Sequence, residues 1–390
     1  MTMEGNNAQE KQSPDTKHAV LTGIRIARIS TVPFFVLSQL KHQIESVSAS
    51  GAHVVVVTNS GPEFPSLQAI SGVACELIEI PRSISPWRDC LALWQLFRFF
   101  RRSQIDIAHS TTPKAGLLTA VAAFLAGVPV RLHTFTGQPW VNMKGVMRRF
   151  ARWSDSLIAM LNTRCYTDSA SQSKFLIEQG VIPPERLFVI GAGSLAGVDI
   201  ERFNPARFSE QERLALKHRS GIPQDAPVLL FVGRITADKG VRELLGAFRK
   251  LKTAGSTAHI IFVGHFDSEI GGGAGISRHD IEGIRDVYIA GFTECPEMYM
   301  AIADILCLPS YREGFGTVVI EAAAMGVPTV GSDIYGLSDA VINGETGMLV
   351  PPRDTTALAN ALSDMLTDAE RRKKMGQAAR QRAEALFDAR

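Results

Sequence analysis

In the second half of the chain, two cations and two carboxylates have the types and spacings that hold a phosphorylated sugar. Gly233-Arg234-Ile235-Thr236-Ala237-Asp238-Lys239-Gly240 follows the apolar run 229–232 and leads into an amphipathic stretch over 241–251, so Arg234 and Lys239 flank the point where a strand becomes a helix. Amides at a helix start carry the positive end of the dipole, and with two flexible cations beside them they suit a diphosphate. The same residues also suit a solvated Arg/Lys pair. Further on, 305–310 reads as a buried strand, followed by Tyr311-Arg312-Glu313-Gly314-Phe315-Gly316-Thr317 and a helix over 318–325. Glu313 falls in the loop and Glu321 in the helix, so both acids can address one ligand at different points. Carboxylates accept pairs of hydroxyl hydrogen bonds, which fits a ribose and a hexose, and Gly314 and Gly316 leave backbone N–H groups open to oxygens. Glu321 alone would also fit a surface pair, but Val319, Ile320 and 322–324 read as buried, which favours a ligand role.

These residues need a scaffold, and the pattern supplies one. Short β-branched runs alternate with helix-length amphipathic segments throughout, the mark of βαβ units and parallel sheets. Strands are expected at 24–29, 54–58, 75–80, 105–109, 130–134, 164–168 and 187–190, and then, in a second set, at 228–233, 260–264, 287–290, 305–309 and 329–331. Pro205, Gly221, Pro223 and Pro227 mark 204–227 as the linker, with a hinge near Phe203. The expected organisation is a disordered polar tail over 1–22, one α/β domain over 23–203, a second over 204–372, and a C-terminal helix over 373–390 docking across the cleft. In such sheets ligands bind beyond the carboxyl ends of the strands.

The motifs G-R-x-x-x-x-K-G, E-G-F-G-T-V-V-I-E-A-A-A-M-G-V-P and N-G-E-T-G-M-L-V-P-P-R-D occur in that order, and with them the chain resembles glycosyltransferase family 4 from about residue 24 to its C-terminus. The resemblance implies the GT-B form of the α/β class: two Rossmann-like, doubly wound parallel-sheet domains facing a central cleft. It implies a retaining hexosyltransferase that uses a nucleotide-diphosphate sugar, with a UDP-sugar the first expectation. Arg234 and Lys239 would hold the donor diphosphate, Glu321 the ribose and Glu313 the hydroxyls of the transferred sugar. Gly314, Phe315 and Gly316 would offer backbone amides, with Thr317 close by, Gly233 would begin the phosphate loop, and Gly264-His265 and Gly291-Phe292-Thr293 would flank the base. No metal and no cofactor are expected: no Asp-x-Asp occurs, and two cations with helix amides can do for the leaving diphosphate what a metal does elsewhere.

In the first half, 106–116 runs from a strand into a helix whose start, with Lys114, would suit a phosphorylated acceptor. Residues 131–138 follow the next strand into another loop. The two segments resemble the branch of the family that builds capsule, O-antigen and exopolysaccharide, often on a polyprenyl diphosphate. Many relatives place a histidine where Thr136 stands here; His109, Lys114, His133 and Thr136 are the acceptor-side candidates, although a histidine at a strand end is often structural. The glycine-rich loop of many relatives is missing near Ser30-Thr31-Val32-Pro33. Basic residues interleave with aromatics at 94–102 and 148–153, which fits either an anionic membrane surface or an ordinary helix covering the sheet.

Composition sets outer limits. A net charge of +2 in 390 residues does not call for nucleic acid. Five cysteines without a C-x-x-C pair fit a reducing, cytoplasmic setting, with contact at the cytoplasmic face of the inner membrane as an added expectation. The apolar stretch 117–130, broken by Gly127 and Pro129, is too short to cross a bilayer. Gly191-Ala192-Gly193-Ser194-Leu195-Ala196 fits a dinucleotide fingerprint, but Gly197-Val198-Asp199 follows it where a helix is required, which argues against an oxidoreductase. A non-catalytic nucleotide-sugar binder and a nucleotide-sugar epimerase of the same fold remain as alternatives.

Overall fold

The computed structural model describes residues 20–81, 83–266 and 275–390. The expected tail over 1–22 therefore lies outside the described residues as far as position 19. The chain packs as two compact units, one formed by residues up to 110 with 114–132 and the other by 111–113 with 133–390.

The first sheet contains β1 (Arg25–Ile29), β2 (His53–Thr58), β3 (Val73–Leu77), β4 (Ile107–Thr111), β5 (Val130–Phe135), β6 (Arg164–Thr167) and β7 (Leu187–Val189), in the order β3-β2-β1-β4-β5-β6-β7. The second contains β8 (Val228–Val232), β9 (His259–Val263), β10 (Val287–Gly291), β11 (Ile305–Leu308), β12 (Thr329–Ser332) and β13 (Gly347–Val350), in the order β10-β9-β8-β11-β12-β13. β1 pairs in parallel with β2 and β4, as β8 does with β9 and β11. Both sheets are doubly wound. The order reverses beside β8, so the loops after β8 and β11 open at the switch point where ligands of such sheets bind.

The sequence explains why these segments pair. β8 reads Val-Leu-Leu-Phe-Val and lies in the core, as parallel strands covered on both faces do. The helix Val241–Thr253 buries Val241, Leu244, Leu245, Phe248 and Leu251, a three-and-four spacing that faces the sheet. In the other unit, Pro86–Ser103 buries Ala92, Leu96, Phe99 and Phe100 in the same way.

Three strands differ from expectation by two residues or more, the first being β4, which runs 107–111 rather than 105–109. β3 begins two residues before the predicted 75 and ends at Leu77 rather than 80. β13 was not foreseen: four residues bounded by Gly347 and Pro351 carry too little pattern, and only pairing with β12 makes them a strand. The C-terminal helix, Ala369–Leu386, buries Met375, Gly376, Ala379 and Ala383. Beyond it the Val198 amide donates to the Phe387 carbonyl at 2.7 Å and the Ala389 amide to the Val198 carbonyl at 2.9 Å, which ties the chain end to the crossover.

Candidate active site

β8 delivers Gly233 and then a short 3-10 turn, Ala237–Lys239, before the helix Val241–Thr253 begins. β11 delivers Pro309–Gly316 on the neighbouring strand. The two loops are joined through the backbone, because the Tyr311 amide donates to the Asp238 carbonyl at 2.9 Å. Across this junction Lys239 Nζ lies 2.5 Å from Glu313 Oε1, with both side chains mostly buried. Asp238 accepts from Thr236 Oγ1 at 2.5 Å and faces Arg312 Nη2 at 3.4 Å. Burial pushes its carboxyl up, but the Thr236 hydrogen bond and the charges of Arg312, Arg234 and Lys239 outweigh this and hold it below the usual range. Arg234 stands exposed at the same turn.

Gly316, at φ +89°, caps the helix Thr317–Ala324 from the left-handed region, and a Cβ there would meet Leu337 Cδ2 at 2.7 Å. A glycine cap brings no side chain to the first-turn amides of this helix, of which that of Val319 donates to the Gly316 carbonyl at 2.8 Å. Phe315 is buried edge-on against Phe387, with ring centroids 5.2 Å apart, so it can offer a ligand only its backbone. Glu321 follows on the same helix. Burial pushes its carboxyl up to about 7; Arg202 pulls it down and Glu297 adds to the rise. Arg202 is itself held by Glu297, with Nε at 3.1 Å and Nη2 at 2.9 Å from the two carboxylate oxygens.

Gly264 closes the neighbouring loop at φ +142°, where a Cβ would stand 1.9 Å from the Gly233 carbonyl oxygen. That contact lets β8 and β9 end side by side. After it, the His265 ring stacks on Phe292, with centroids 4.4 Å apart and planes 10° from parallel. The pair forms a flat aromatic face beside the loop after β8.

The acceptor-side candidates separate by environment. His109 meets the guanidinium of Arg28, whose own pKa burial lowers to about 10. Lys114 Nζ is held 2.6 Å from Asp89. Both lie in or against the first unit's own side chains. His133 is buried edge-on against Phe135 at 4.6 Å, and burial lowers its pKa to about 3, so the ring is neutral. The Thr136 carbonyl accepts from Gln138 Nε2 at 2.7 Å and Gln172 Nε2 at 2.6 Å.

Several residues around the loop after β11 escaped the sequence reading. Arg312 Nη1 donates to the Gly137 carbonyl at 3.3 Å, and Ser169 Oγ donates to the Gly314 carbonyl at 2.9 Å. Asp168 is buried against Gly314, where a Cβ would lie 2.6 Å from Oδ2, and burial pushes its carboxyl up to about 7. The run Asp168-Ser169-Ala170-Ser171-Gln172 reads locally as no more than a strand end and a helix cap, with Ser169 capping Gln172. The dinucleotide-like segment 191–196 is followed by no helix, and Gly193 packs on the Asp168 carbonyl and the Phe315 ring.

Comparison with known proteins bears on the family and the fold. A family model described as glycosyl transferases group 1 matches residues 212–382, and another described as glycosyl transferase 4-like domain matches residues 38–193. The chain belongs to glycosyltransferase family 4 and is a glycosyltransferase with the two doubly wound sheets of the GT-B fold. It is 28% identical over 355 residues to the capsular polysaccharide biosynthesis glycosyltransferase CapM of Staphylococcus aureus, covering 89% of each chain. It is 25% identical to the UDP-Gal:alpha-D-GlcNAc-diphosphoundecaprenol alpha-1,3-galactosyltransferase of Escherichia coli, over 74% of this chain and 73% of that one. Among solved structures, Anabaena Alr3699/HepE in complex with UDP and glucose has the same fold, with a TM-score of 0.75 at 18% identity, covering 94% of this chain and 96% of that one.

Proposed function

We propose that this chain is a retaining glycosyltransferase that moves a sugar from a UDP-sugar to a hydroxyl of a glycan or polyprenyl-diphosphate-linked acceptor during surface polysaccharide biosynthesis. The observation that carries this reading is the meeting of Lys239 with Glu313 beside the helix that opens at Gly316. A cation, an acid and the positive end of a helix side by side match the parts of a nucleotide-bound sugar: diphosphate for the first and third, sugar hydroxyls for the second. Arg234 would take the second phosphate charge, Glu321 the ribose, and the His265–Phe292 face the base. Charge that develops on the leaving diphosphate would be met by groups already in place, which is electrostatic catalysis without reorganisation. On this reading no metal is required. The names of the two relatives above support the polysaccharide setting and the lipid-linked acceptor.

Contact with an anionic membrane is part of the proposal. Helix Gly145–Leu161 begins with Val146, Met147, Phe150 and Trp153 exposed, Val146 to 74% and Trp153 to 57%. Lys144, Arg148, Arg149 and Arg152 lie among them, with no acid from 144 to 154. Aromatics with cations and no acids fit an interface of anionic headgroups. Among the described residues no helix is long and apolar enough to cross a membrane.

Thermal-shift screening of UDP, GDP, ADP and CMP, each with its common sugars, tests the donor, since a ligand of the folded state raises its stability. UDP and a UDP-sugar should raise the melting temperature, and transfer to a hydroxyl should survive EDTA. Stabilisation by none of them, or activity lost in EDTA and restored by magnesium, would overturn the reading.

A further inference from the structure

The turn after β8 and the loop after β11 face each other through two ion pairs that run in opposite senses. Lys239 Nζ meets Glu313 Oε1 at 2.5 Å, and the preceding residue of each segment makes the reverse pair, with Arg312 Nη2 3.4 Å from Asp238 Oδ2. The backbone sets this register, because the Tyr311 amide donates to the Asp238 carbonyl at 2.9 Å and so brings residue 312 alongside 238. The charges of the two pairs sum to zero. A donor would disturb that balance: the proposed roles take Lys239 to the diphosphate and Glu313 to the sugar, and the Asp238–Arg312 pair stays behind.

Asp238 is out of place in a phosphate site. It directly precedes Lys239 and shares its turn with Arg234, the two cations assigned to the diphosphate. A carboxylate this close to a diphosphate repels it unless another group holds its charge. Burial works against ionisation of Asp238, but the Thr236 hydrogen bond and the charges of Arg312, Arg234 and Lys239 outweigh it and keep the carboxyl below its usual range. The negative charge is therefore present at neutral pH. Of those three cations, Arg312 is the one with no phosphate assigned to it. Its place is fixed from the other side as well: Nη1 donates to the Gly137 carbonyl at 3.3 Å, and a Cβ on Gly137 would stand 3.6 Å from that nitrogen. A guanidinium with one arm on a backbone carbonyl and the other on a carboxylate is held as a fixed counter-charge.

We infer that Arg312 is a positioning residue of the donor site: it neutralises Asp238, so that a diphosphate can bind beside that carboxylate, and it does not itself hold the phosphates. The inference rests on the transferase reading and deepens it. The turn after β8 carries an acid among its cations, and Arg312 is what makes that acid compatible with an anionic ligand.

Calorimetric titration of UDP into wild type, Arg312→Gln and the double variant Arg312→Gln/Asp238→Asn tests this. Arg312→Gln should weaken UDP about tenfold or more, since it leaves the Asp238 charge unmatched next to the diphosphate. Adding Asp238→Asn should return the affinity to within about threefold of wild type, because a turn without the acid has no need of the counter-charge. An arginine that held the phosphates, or one that merely supported the loop, would leave the double variant as weak as Arg312→Gln. Affinity unchanged in Arg312→Gln, or not recovered to that extent in the double variant, would overturn the inference. Should Arg312→Gln not fold, the double variant and Arg312→Lys, which keeps the charge, decide: both should bind UDP within about threefold of wild type, and a larger loss in either would overturn it. If wild type itself does not bind UDP, the transferase reading fails first and takes the inference with it, a result separate from the others.

Discussion

Lys239 Nζ and Glu313 Oε1 stand 2.5 Å apart, although the two residues come from loops after different strands of one sheet. The pair neutralises two charges that would otherwise sit largely buried and unmatched, and removing either partner leaves the other exposed to the desolvation cost. Each is also assigned to a different part of the donor. Lys239→Ala and Glu313→Ala should each lower turnover by at least about tenfold, or 1.4 kcal/mol of transition-state stabilisation. Steady-state rates on a UDP-sugar check this, with circular dichroism confirming the fold. Wild-type turnover in either variant would refute its assigned role.

A second prediction concerns Arg202, which the donor itself need not touch. Its bidentate bond to Glu297 and its field at Glu321 both favour ionised acids. Arg202→Ala should raise the proportion of protonated Glu321 near neutrality and so weaken ribose binding. Expected is a donor KM several-fold higher than wild type, larger at pH 6 than at pH 8. A KM shift of the same size at both pH values would show that Glu321 is not the group affected.

Asp168 gives a stability prediction with a definite sign. Burial raises its carboxyl to about 7, against roughly 3.9 for an unfolded aspartate. Below the unfolded value both states are protonated and nothing is lost; as pH rises through about 7 the folded state must ionise a buried group, and its stabilising contribution disappears. Asp168→Asn removes that loss. The melting temperature of the variant relative to wild type should therefore rise between pH 5 and pH 8, by on the order of 1 kcal/mol or more in stability. A difference that is flat or falls over this range would contradict the buried acid.

Gly264 and Gly316 should tolerate no side chain. Gly264→Ala forces a Cβ toward the Gly233 carbonyl, and Gly316→Ala combines the left-handed φ with a contact on Leu337. Each should cost roughly 1–3 kcal/mol, read as a lower denaturation midpoint. Unchanged midpoints would mean that the two loops relax without cost.

Much of this was readable from the chain, for reasons the residues make plain. β8 and β11 declared themselves because parallel strands buried on both faces are continuous apolar runs, and the loops after them carry the glycines and charges in short local motifs. Arg234, Lys239, Glu313 and Glu321 were singled out as donor-site candidates in this way, and the structure brings Lys239 and Glu313 together. β13 was not, because its four residues become a strand only through β12. Arg312, Asp168 and Asp155 stayed hidden for a related reason. Arg312 and Asp168 meet partners far along the chain, as when Arg312 reaches Gly137, and Asp155 meets Trp140 from outside its own helix, so no local pattern records these meetings. Burial, which gives Asp155 and Asp168 their raised pKa values, is likewise a property of the packed fold and not of the segment.

The most direct test is calorimetric titration of UDP and of the matching UDP-sugar into wild type, Lys239→Ala and Glu313→Ala. If Lys239 holds the diphosphate and Glu313 the transferred sugar, Lys239→Ala weakens both ligands while Glu313→Ala weakens the UDP-sugar and leaves UDP within about twofold, the margin of a contact not made. Equal losses for both ligands in Glu313→Ala, or no loss in either variant, would contradict the shared donor site.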